Sequence, residues 1–202
     1  VKAREGAMIK VQTDNYLGGS TPNVRAEYIT RDGEQDYESL GWMNGHEVWY
    51  IIPEGVEILD IKYRETGYNA EFVAPFQCNE PFYNELWKRS ARTLYVTMRD
   101  TYMDCPDRER SQWWGDEVNE LGEAFYALTH SSHQLALKGI YELMNWQRAD
   151  GVIFSPAPAG NWNRELPLQM LASVGWYGFY TQYYYSADSS FIPVIYDRLH
   201  QY

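Results

Sequence analysis

The periodicity of the chain changes near residue 75, and this change limits the available folds more than any other feature. Before that point the segments VRAEYIT, EVWYIIP and VEILDIKYRE alternate apolar and polar residues and are rich in β-branched and aromatic side chains, which predicts strands with one buried face. We therefore expect residues 1–75 to form part of an antiparallel β-sandwich. Turns are predicted at Leu17–Ser20, Arg31–Gly33 and Pro53–Gly55.

From residue 76 the apolar residues recur with a helical period. Asn79 suits an N-cap, and Glu80 and Pro81 suit the first turn of a helix that runs to about Arg99. Five helices joined by short loops predict a toroid of paired helices, of which residues 76–202 would form the N-terminal part. The last helix reaches Tyr202 without a cap or a closing partner, which predicts a piece of a longer chain. The four later helices are expected at about 117–128, 131–148, 167–185 and 189–202.

An incomplete toroid should expose the apolar faces that its absent neighbours would cover. Large exposed apolar patches usually indicate a missing partner, so self-association or partial unfolding is expected. The residues predicted to be exposed in this way are Leu135, Ile140, Leu143, Phe191, Val194 and Ile195.

Charge and cysteine content narrow the classes of partner. The formal net charge of −11, from 17 basic and 28 acidic residues without a basic run, argues against nucleic-acid binding. No apolar run approaches the roughly 20 residues of a membrane span, so membrane insertion is not expected. Cys78 and Cys105 have no zinc-site spacing with the four histidines, so neither a metal nor a cofactor is predicted. Two buried thiols are favoured over a disulfide, and the oligomeric state stays open.

The segment YMDCPDRERSQWWGDE, residues 102–117, concentrates charge and aromatic area. Asp104, Glu109 and Asp116 lie at relative positions 0, +5 and +12 between two predicted helices, and Pro106 disfavours helix before it. Three converging carboxylates repel one another, so at least one should be protonated near neutral pH, as a general acid must be. The alternative is a salt-bridged loop in which Arg108 and Arg110 neutralise the acids and the two Trp residues belong to the core.

The stretch DCPDRERSQWWGD resembles the motif of bacterial α-L-rhamnosidases (glycoside hydrolase family 78), in which D-C-P-x-R-E-[RK] is followed by a Trp and a Gly-Asp. The upstream residues from YESLGWMNGHEVWYIIP to CNEPFYNELW and the downstream run ADGVIFSPAPAGNWNRELPLQM resemble that family too. The resemblance implies an (α/α)6 barrel preceded by β-sandwich domains, so this chain would hold a sandwich portion and a partial toroid. It also implies that the substrate is a carbohydrate and that a terminal α-L-rhamnose is hydrolysed from it with inversion of the anomeric centre.

Carried over residue by residue, the resemblance makes Glu109 the general acid. Asp104 and Asp116 would bind sugar hydroxyls, and Trp113 would pack against the sugar ring and its methyl group. Arg108 is counted with the substrate-binding residues, although orienting a carboxylate suits it better than touching the sugar.

Trp162 and Glu165 follow on a later loop, where they would line the same pocket, and Trp176 is a further candidate. A purely structural role suits these three residues at least as well. Inversion also needs a general base roughly 6.5–9.5 Å from the acid, and the resemblance implies that this base lies beyond Tyr202.

The motif also departs from the family pattern. Ser111-Gln112-Trp113-Trp114 replaces the commoner Leu-Gly-Trp-x run, so Trp114 would add bulk beside the pocket and change either the subsite next to rhamnose or the sugar chosen. Two alternatives to an enzyme remain open. A non-catalytic protein would grip a glycan in the same pocket, and a structural relic would use the carboxylates only to neutralise arginines.

Overall fold

The computed structural model of the protein describes residues 1–14, 24–43, 45–73, 75–106, 109–157 and 165–202. The chain forms two compact units, Val1–Thr66 and Gly67–Tyr202. This division lies before residue 75 because the segment after Gly67 is bound to the helical unit. Within that unit Phe72 pairs with Leu128 as an antiparallel bridge, and the Val73 N–H donates to the Ala127 carbonyl at 2.9 Å.

Two small antiparallel sheets form the first unit. A two-stranded sheet pairs β1 with β4, and a three-stranded sheet places β2 between β3 and β5. The register of β2 on β3 shifts between Val11 and Gln12, which marks a bulge. The strands are β1 (Lys2–Ala3), β2 (Met8–Thr13), β3 (Val24–Ile29), β4 (Gly33–Glu34) and β5 (Val48–Ile51).

The predictions for the strand half are partly confirmed. VRAEYIT and EVWYIIP contain β3 and β5, but VEILDIKYRE does not form a strand. Its one ladder contact is the bridge between Glu57 and Lys2, and Tyr63 is 91% exposed. An alternating pattern makes a strand only where another strand pairs with it, and this segment has no such partner among the described residues. The predicted turn at Leu17–Ser20 lies outside the described residues.

Helices make up most of the second unit. They are α1 (Pro81–Thr97), α2 (Trp114–Ala127), α3 (Ser131–Asn145), α4 (Pro167–Ala172), a π-helical segment (Ser173–Phe179), α5 (Tyr180–Ser186) and α6 (Ile192–Gln201). The predicted positions of the helices are confirmed, with the fourth interrupted by the π-helical turns. Glu80, not Asn79, caps α1, since its Oε1 accepts the Phe82 N–H. None of the described helices has the length and apolar character that crossing a membrane requires.

The helices bury a common core, which corrects two predictions. Leu135, Ile140 and Leu143 are buried, and so are Phe191 and Ile195, because α3 packs against both α2 and α6. Of the six residues expected to be exposed, only Val194 is, at 65%. The two cysteines are free and half-buried rather than fully buried.

Candidate functional site

The segment between α1 and α2 is anchored at both ends by buried side chains. Met98, directly after α1, pairs with Tyr102, and both are almost inaccessible. At the other end Gln112 and Trp114 are equally buried. The described residues between these anchors, 104–106 and 109–111, are therefore held at both ends, which is how catalytic loops are usually held.

Backbone hydrogen bonds close the projecting segment into a small loop. The Asp104 N–H donates to the Ser111 carbonyl, and the Ser111 N–H donates back to Asp104 Oδ1, both at 3.0 Å. Arg110 adopts a left-handed conformation with φ of 53°, which reverses the chain after Glu109 and returns Ser111 to Asp104. A non-glycine residue held in this region is strained, and such strain tends to occur at functional sites.

Residues 155–157, in the segment before α4, form hydrogen bonds with the end of the site loop. Gln112 Nε2 donates to the Ala157 carbonyl at 2.8 Å, and the Ala157 N–H donates to the Gln112 carbonyl at 3.2 Å. The Trp114 N–H, which α2 itself cannot satisfy, donates to Ser155 Oγ at 2.7 Å. The two segments with the strongest resemblance are thus joined by direct hydrogen bonds.

Three polar side chains meet inside the loop. Asp104, Cys105 and Glu109 are half-buried and bring one carboxylate or sulfur atom each within 4.8 Å of the others. The Cys105 thiol donates to Glu109 Oε2 at 3.2 Å. Loss of hydration raises the pKa of Asp104, and the hydrogen bond and negative charge of Glu109 raise it further.

The same three atoms have a spacing that a cation could also bridge. Their geometry also suits a group that shares protons, since Cys105 Sγ lies 3.2 Å from Glu109 Oε2, which is hydrogen-bond distance.

Asp116 joins this cluster electrostatically from the first turn of α2. Its side chain is exposed, yet partial loss of hydration and the charge of Glu109 raise its pKa. An acidic residue at this position also favours the positive end of the helix dipole. The structure therefore brings together Asp104, Glu109 and Asp116, the three carboxylates that the motif singled out.

The two tryptophans of the motif have separate environments. Trp113 is half-buried at the N-cap of α2. Trp114 is completely buried and meets Phe179 edge to face, with 5.5 Å between ring centroids. The expectation that Trp114 adds bulk beside the pocket is therefore wrong, because its ring belongs to the core.

The remaining predicted site residues lie apart from these contacts or outside the described residues. Glu165 is exposed and pairs with Arg148 at 2.5 Å, beyond the end of α3. Trp176 is 67% exposed on the π-helical segment and stacks on Tyr180. Arg108 and Trp162 fall outside the described residues. Substrate binding by Glu165, Arg108 and Trp162 stays a prediction.

The sequence analysis did not predict a buried acid on α2 with two further acids close to it. Glu117 is fully buried, and neither of its carboxylate oxygens has a hydrogen-bond partner among the described residues. Burial raises its pKa well above the ordinary value, with Glu120 and Glu142 adding to the effect and Lys138 opposing it. The signal was present in the spacing, since positions 114, 117, 121 and 124 form one buried helical face.

A cavity of about 400 Å³ lies at the other end of α2. Phe125 and Tyr185 stack in it at 5.1 Å between centroids, and Nδ1 of His130 lies 3.4 Å from Nδ1 of His133. Since α2 spans 14 residues, a rise of about 1.5 Å per residue separates this cavity from the acid cluster by roughly 20 Å. No pattern in the sequence predicted this cavity.

Comparison with known proteins finds one matching family model and similar solved structures. Residues 71–202 match the family model described as the bacterial alpha-L-rhamnosidase 6 hairpin glycosidase domain. No curated protein sequence matches the chain significantly.

Similar solved structures include a GH78 family rhamnosidase of Bacillus sp. GL1, with a TM-score of 0.79 and 18% identity over 99% of this chain and 21% of that chain. An α-L-rhamnosidase from Dictyoglumus thermophilum has a TM-score of 0.71 and 19% identity over 100% of this chain and 24% of that chain. At these identities the likeness shows the fold. The chain spans less than a quarter of the length of either protein.

Proposed function

The chain belongs to the bacterial α-L-rhamnosidase six-hairpin glycosidase family, and from this premise we propose that it carries part of the active site of an inverting glycosidase. The proposed substrate is a glycan or glycoside with a terminal α-L-rhamnose. The observation that carries the proposal is the half-buried cluster of Asp104, Cys105 and Glu109 beside Asp116, on a loop anchored at both ends.

Glu109 is the proposed general acid. It shares a hydrogen bond with Asp104 and lies close enough to Asp116 to raise the pKa of both neighbours. Mutual repulsion favours keeping a proton within the cluster, and a carboxylic acid that holds its proton can donate it to the leaving oxygen. As the proton is transferred, the bond between the sugar carbon and the leaving oxygen breaks, and its electron pair stays on that oxygen.

The neighbouring groups suit the binding of a deoxysugar. Ionised Asp104 and Asp116 accept hydrogen bonds from hydroxyl groups, and the half-buried ring of Trp113 offers an apolar face for the sugar ring and methyl group. Glu165, Arg108 and Trp162 are proposed as further lining residues.

Inversion requires a second carboxylate on the opposite face of the sugar, about 6.5–9.5 Å from the acid. We assign none of residues 1–202 to this role and place the general base outside them, in an (α/α)6 barrel of which the helices here form the N-terminal part. The whole length of the two solved rhamnosidases leaves room for such a barrel.

The test is hydrolysis of an aryl α-L-rhamnoside by the complete natural chain, with the product anomer followed by NMR. Glu109→Gln should reduce kcat by at least about a hundredfold, since general acid catalysis contributes roughly 10²–10⁴-fold. Glu85→Gln, which removes an exposed pair with Arg89 on α1, is the matched control and should retain full activity.

Near-normal hydrolysis by Glu109→Gln would reject Glu109 as the acid. Rhamnose binding without release of the aryl group by the wild-type protein would instead support a non-catalytic carbohydrate-binding protein of the same fold.

A further inference from the structure

We propose that Glu117 is a positioning residue for the site loop between α1 and α2: it keeps its proton in the folded protein and donates that proton to Gln112 Oε1, at the end of the loop. This inference rests on the proposed function and deepens it. It concerns a completely buried side chain that takes no part in the proton transfer proposed for Glu109.

The side chain of Gln112 is oriented by the segment before α4. Its Nε2 donates to the Ala157 carbonyl at 2.8 Å, which identifies the nitrogen of the amide and leaves Oε1 on the other side. This Oε1 is buried and has no donor among the described residues. A buried acceptor without a donor is costly, so Oε1 needs a hydrogen-bond donor from within the protein.

The Oε1 atoms of Gln112 and Glu117 face the same point on α3. A Cβ at Gly139 would lie 2.0 Å from Glu117 Oε1 and 3.0 Å from Gln112 Oε1. Glycine at this position therefore leaves the space in which the two oxygens approach each other. Two acceptor oxygens repel unless a proton lies between them, and a protonated carboxyl group supplies one O–H donor.

The charged groups of α2 and α3 favour the protonated form of Glu117. Glu120 and Glu142 repel its ionised form, and the opposing attraction comes from Lys138. Lys138 is itself paired with Glu142 at 2.7 Å, and it also donates to the Asp100 carbonyl. Its charge is therefore shared with other acceptors and is not reserved for Glu117.

The base of the site loop supplies no donor to Glu117. The hydroxyl of Tyr102 is close enough for the charge of Glu117 to raise its pKa, but it forms no hydrogen bond with any described residue. An ionised Glu117 would be a buried charge without a donor, which costs more than a buried neutral acid. Burial accordingly raises the pKa of Glu117 well above its ordinary value.

A proton held by Glu117 would fix Gln112 from two directions. Its Oε1 is bound to the first turn of α2 and its Nε2 to Ala157. Glu109 lies three residues before Gln112, so the orientation of Gln112 sets the point from which the loop carries the proposed acid. Glu117 thus acts on the reaction through Gln112 and does not touch the sugar.

Infrared spectroscopy of the complete natural chain tests for the proton. The spectrum of the wild type minus that of Glu117→Gln, at neutral pH, should show the C=O band of a protonated carboxylic acid and no carboxylate band. Glu85→Gln, which removes an exposed partner of Arg89, is the control and should show the loss of a carboxylate band. A carboxylate band in the Glu117→Gln difference would overturn the inference, since a water or a cation would then separate the two oxygens.

Hydrogen exchange of the Ala157 amide, which donates to the Gln112 carbonyl, tests whether this proton holds the loop end. Glu117→Met has a similar volume but no donor, so the amide should exchange about tenfold faster, the equivalent of one unpaired buried acceptor. Glu117→Gln keeps an N–H donor and should stay within about twofold of the wild-type rate. Equal rates in the wild type and Glu117→Met, or equal losses in the two variants, would overturn the inference.

The pH dependence of the same amide gives an independent check. The unfolded chain releases the proton of Glu117 near 4.5, and the folded chain does so at much higher pH. The hold on Gln112 is therefore complete below about pH 4.5 and is lost as pH rises through the folded pKa. After correction for intrinsic rates, exchange at Ala157 should accelerate at alkaline pH in the wild type and not in Glu117→Gln. Parallel profiles would contradict the proposal.

Hydrolysis of an aryl α-L-rhamnoside separates positioning from a merely structural role. Glu117→Met should lower kcat about tenfold and leave KM within about twofold, and Glu117→Gln should restore kcat. Unchanged kcat in Glu117→Met would overturn the positioning role. The expected infrared and exchange results without any hydrolysis by the wild type would overturn the proposed function and support the contact between Glu117 and Gln112.

Discussion

The acidic residues between positions 102 and 117 differ mainly in their exposure to solvent. Asp116 is exposed, Asp104 and Glu109 are half-buried, and Glu117 is completely buried one residue after Asp116. Because α2 turns by about 100° per residue, neighbours in sequence face different surroundings. A carboxyl group is therefore solvated at position 116 and buried at position 117, where burial raises the pKa of Glu117 well above the ordinary value.

Glu120 makes this difference measurable through the pH dependence of stability. Burial raises its pKa to about 8, with the charges of Asp116, Glu123 and Asp104 adding to the effect and a hydrogen bond from Thr97 opposing it. The unfolded chain releases this proton near the ordinary value of 4.5, so above that pH the folded state binds the extra proton. Its contribution to stability is complete below about pH 4.5 and is lost as pH rises through about 8.

Glu120→Gln should therefore flatten the fall in unfolding free energy between about pH 5 and about pH 9. In the wild type this group accounts for a fall of at most about 5 kcal/mol, since each unit of pKa shift contributes about 1.4 kcal/mol. Urea unfolding at several pH values measures it. Glu85→Gln is the control and should keep the wild-type slope, because Glu85 is exposed beside Arg89. An identical slope in Glu120→Gln and wild type would contradict the prediction.

The residues of the candidate site were predictable to different degrees. The spacing of Asp104, Glu109 and Asp116 on a loop between two helices indicated a carboxylate cluster, although a salt-bridged loop suited the same spacing. The burial of Trp114 was not predictable, since a Trp beside a polar motif suits ligand stacking and core packing equally well. The contact of Cys105 with Glu109 depends on the reversal at Arg110, for which the sequence has no glycine signal.

At the scale of elements, the helix from Pro167 to Ser186 is unusual because its middle third is π-helical. The wider turns place Gly178 against Trp114, the first residue of α2. A Cβ at Gly178 would lie 2.9 Å from Trp114 Cζ2 and 2.1 Å from the Ser173 carbonyl oxygen. Close packing of the π-helical segment on the anchored end of the site loop therefore requires glycine here.

Gly178→Ala should destabilise the protein by about 1–3 kcal/mol, the usual cost of overpacking a core. The control is Gly175→Ala in the same segment, where a Cβ meets no atom within 4 Å. That variant should gain up to about 1 kcal/mol from the better helix propensity of Ala. Thermal unfolding of both variants measures the difference. Equal melting temperatures would show that Gly178 is not confined by Trp114.

Helices were easier to predict than strands or π-helical turns for a physical reason. The hydrogen bonds of α1 and α3 lie within one segment, so the apolar period of that segment nearly determines the element. The VEILDIKYRE segment has a strand pattern but no adjacent strand among the described residues with which to form a ladder. Pairing with a distant strand cannot be predicted from the pattern of one segment. The π-helical turns bring Gly178 against another helix, and no local sequence pattern predicts a contact of that kind.

At the scale of the whole molecule, the two units differ in the size of their cores. In the first unit, β2 buries Ile9, Val11 and Thr13, while all four residues of β5 are 40–49% exposed. In the second unit, α2, α3 and α6 contribute to a core in which twenty of the described residues are buried. Buried apolar area is the main source of stability, so the second unit should open much less often than the first.

Native-state hydrogen exchange tests this difference within one sample. The amide protons of Ile9 and Val11 lie in the central strand of their sheet, and those of Leu121 and Ile140 lie in the middle of α2 and α3. After correction for intrinsic rates, the strand amides should exchange at least about tenfold faster, because local opening is governed by the core that each element buries. Equal protection of the four amides would contradict this, since it would mean that the small core of the first unit does not set the stability of β2. Because the anchors described above for the site loop belong to the second unit, mild denaturant that raises exchange in β2 should leave the amide of Trp114, bound to Ser155, protected.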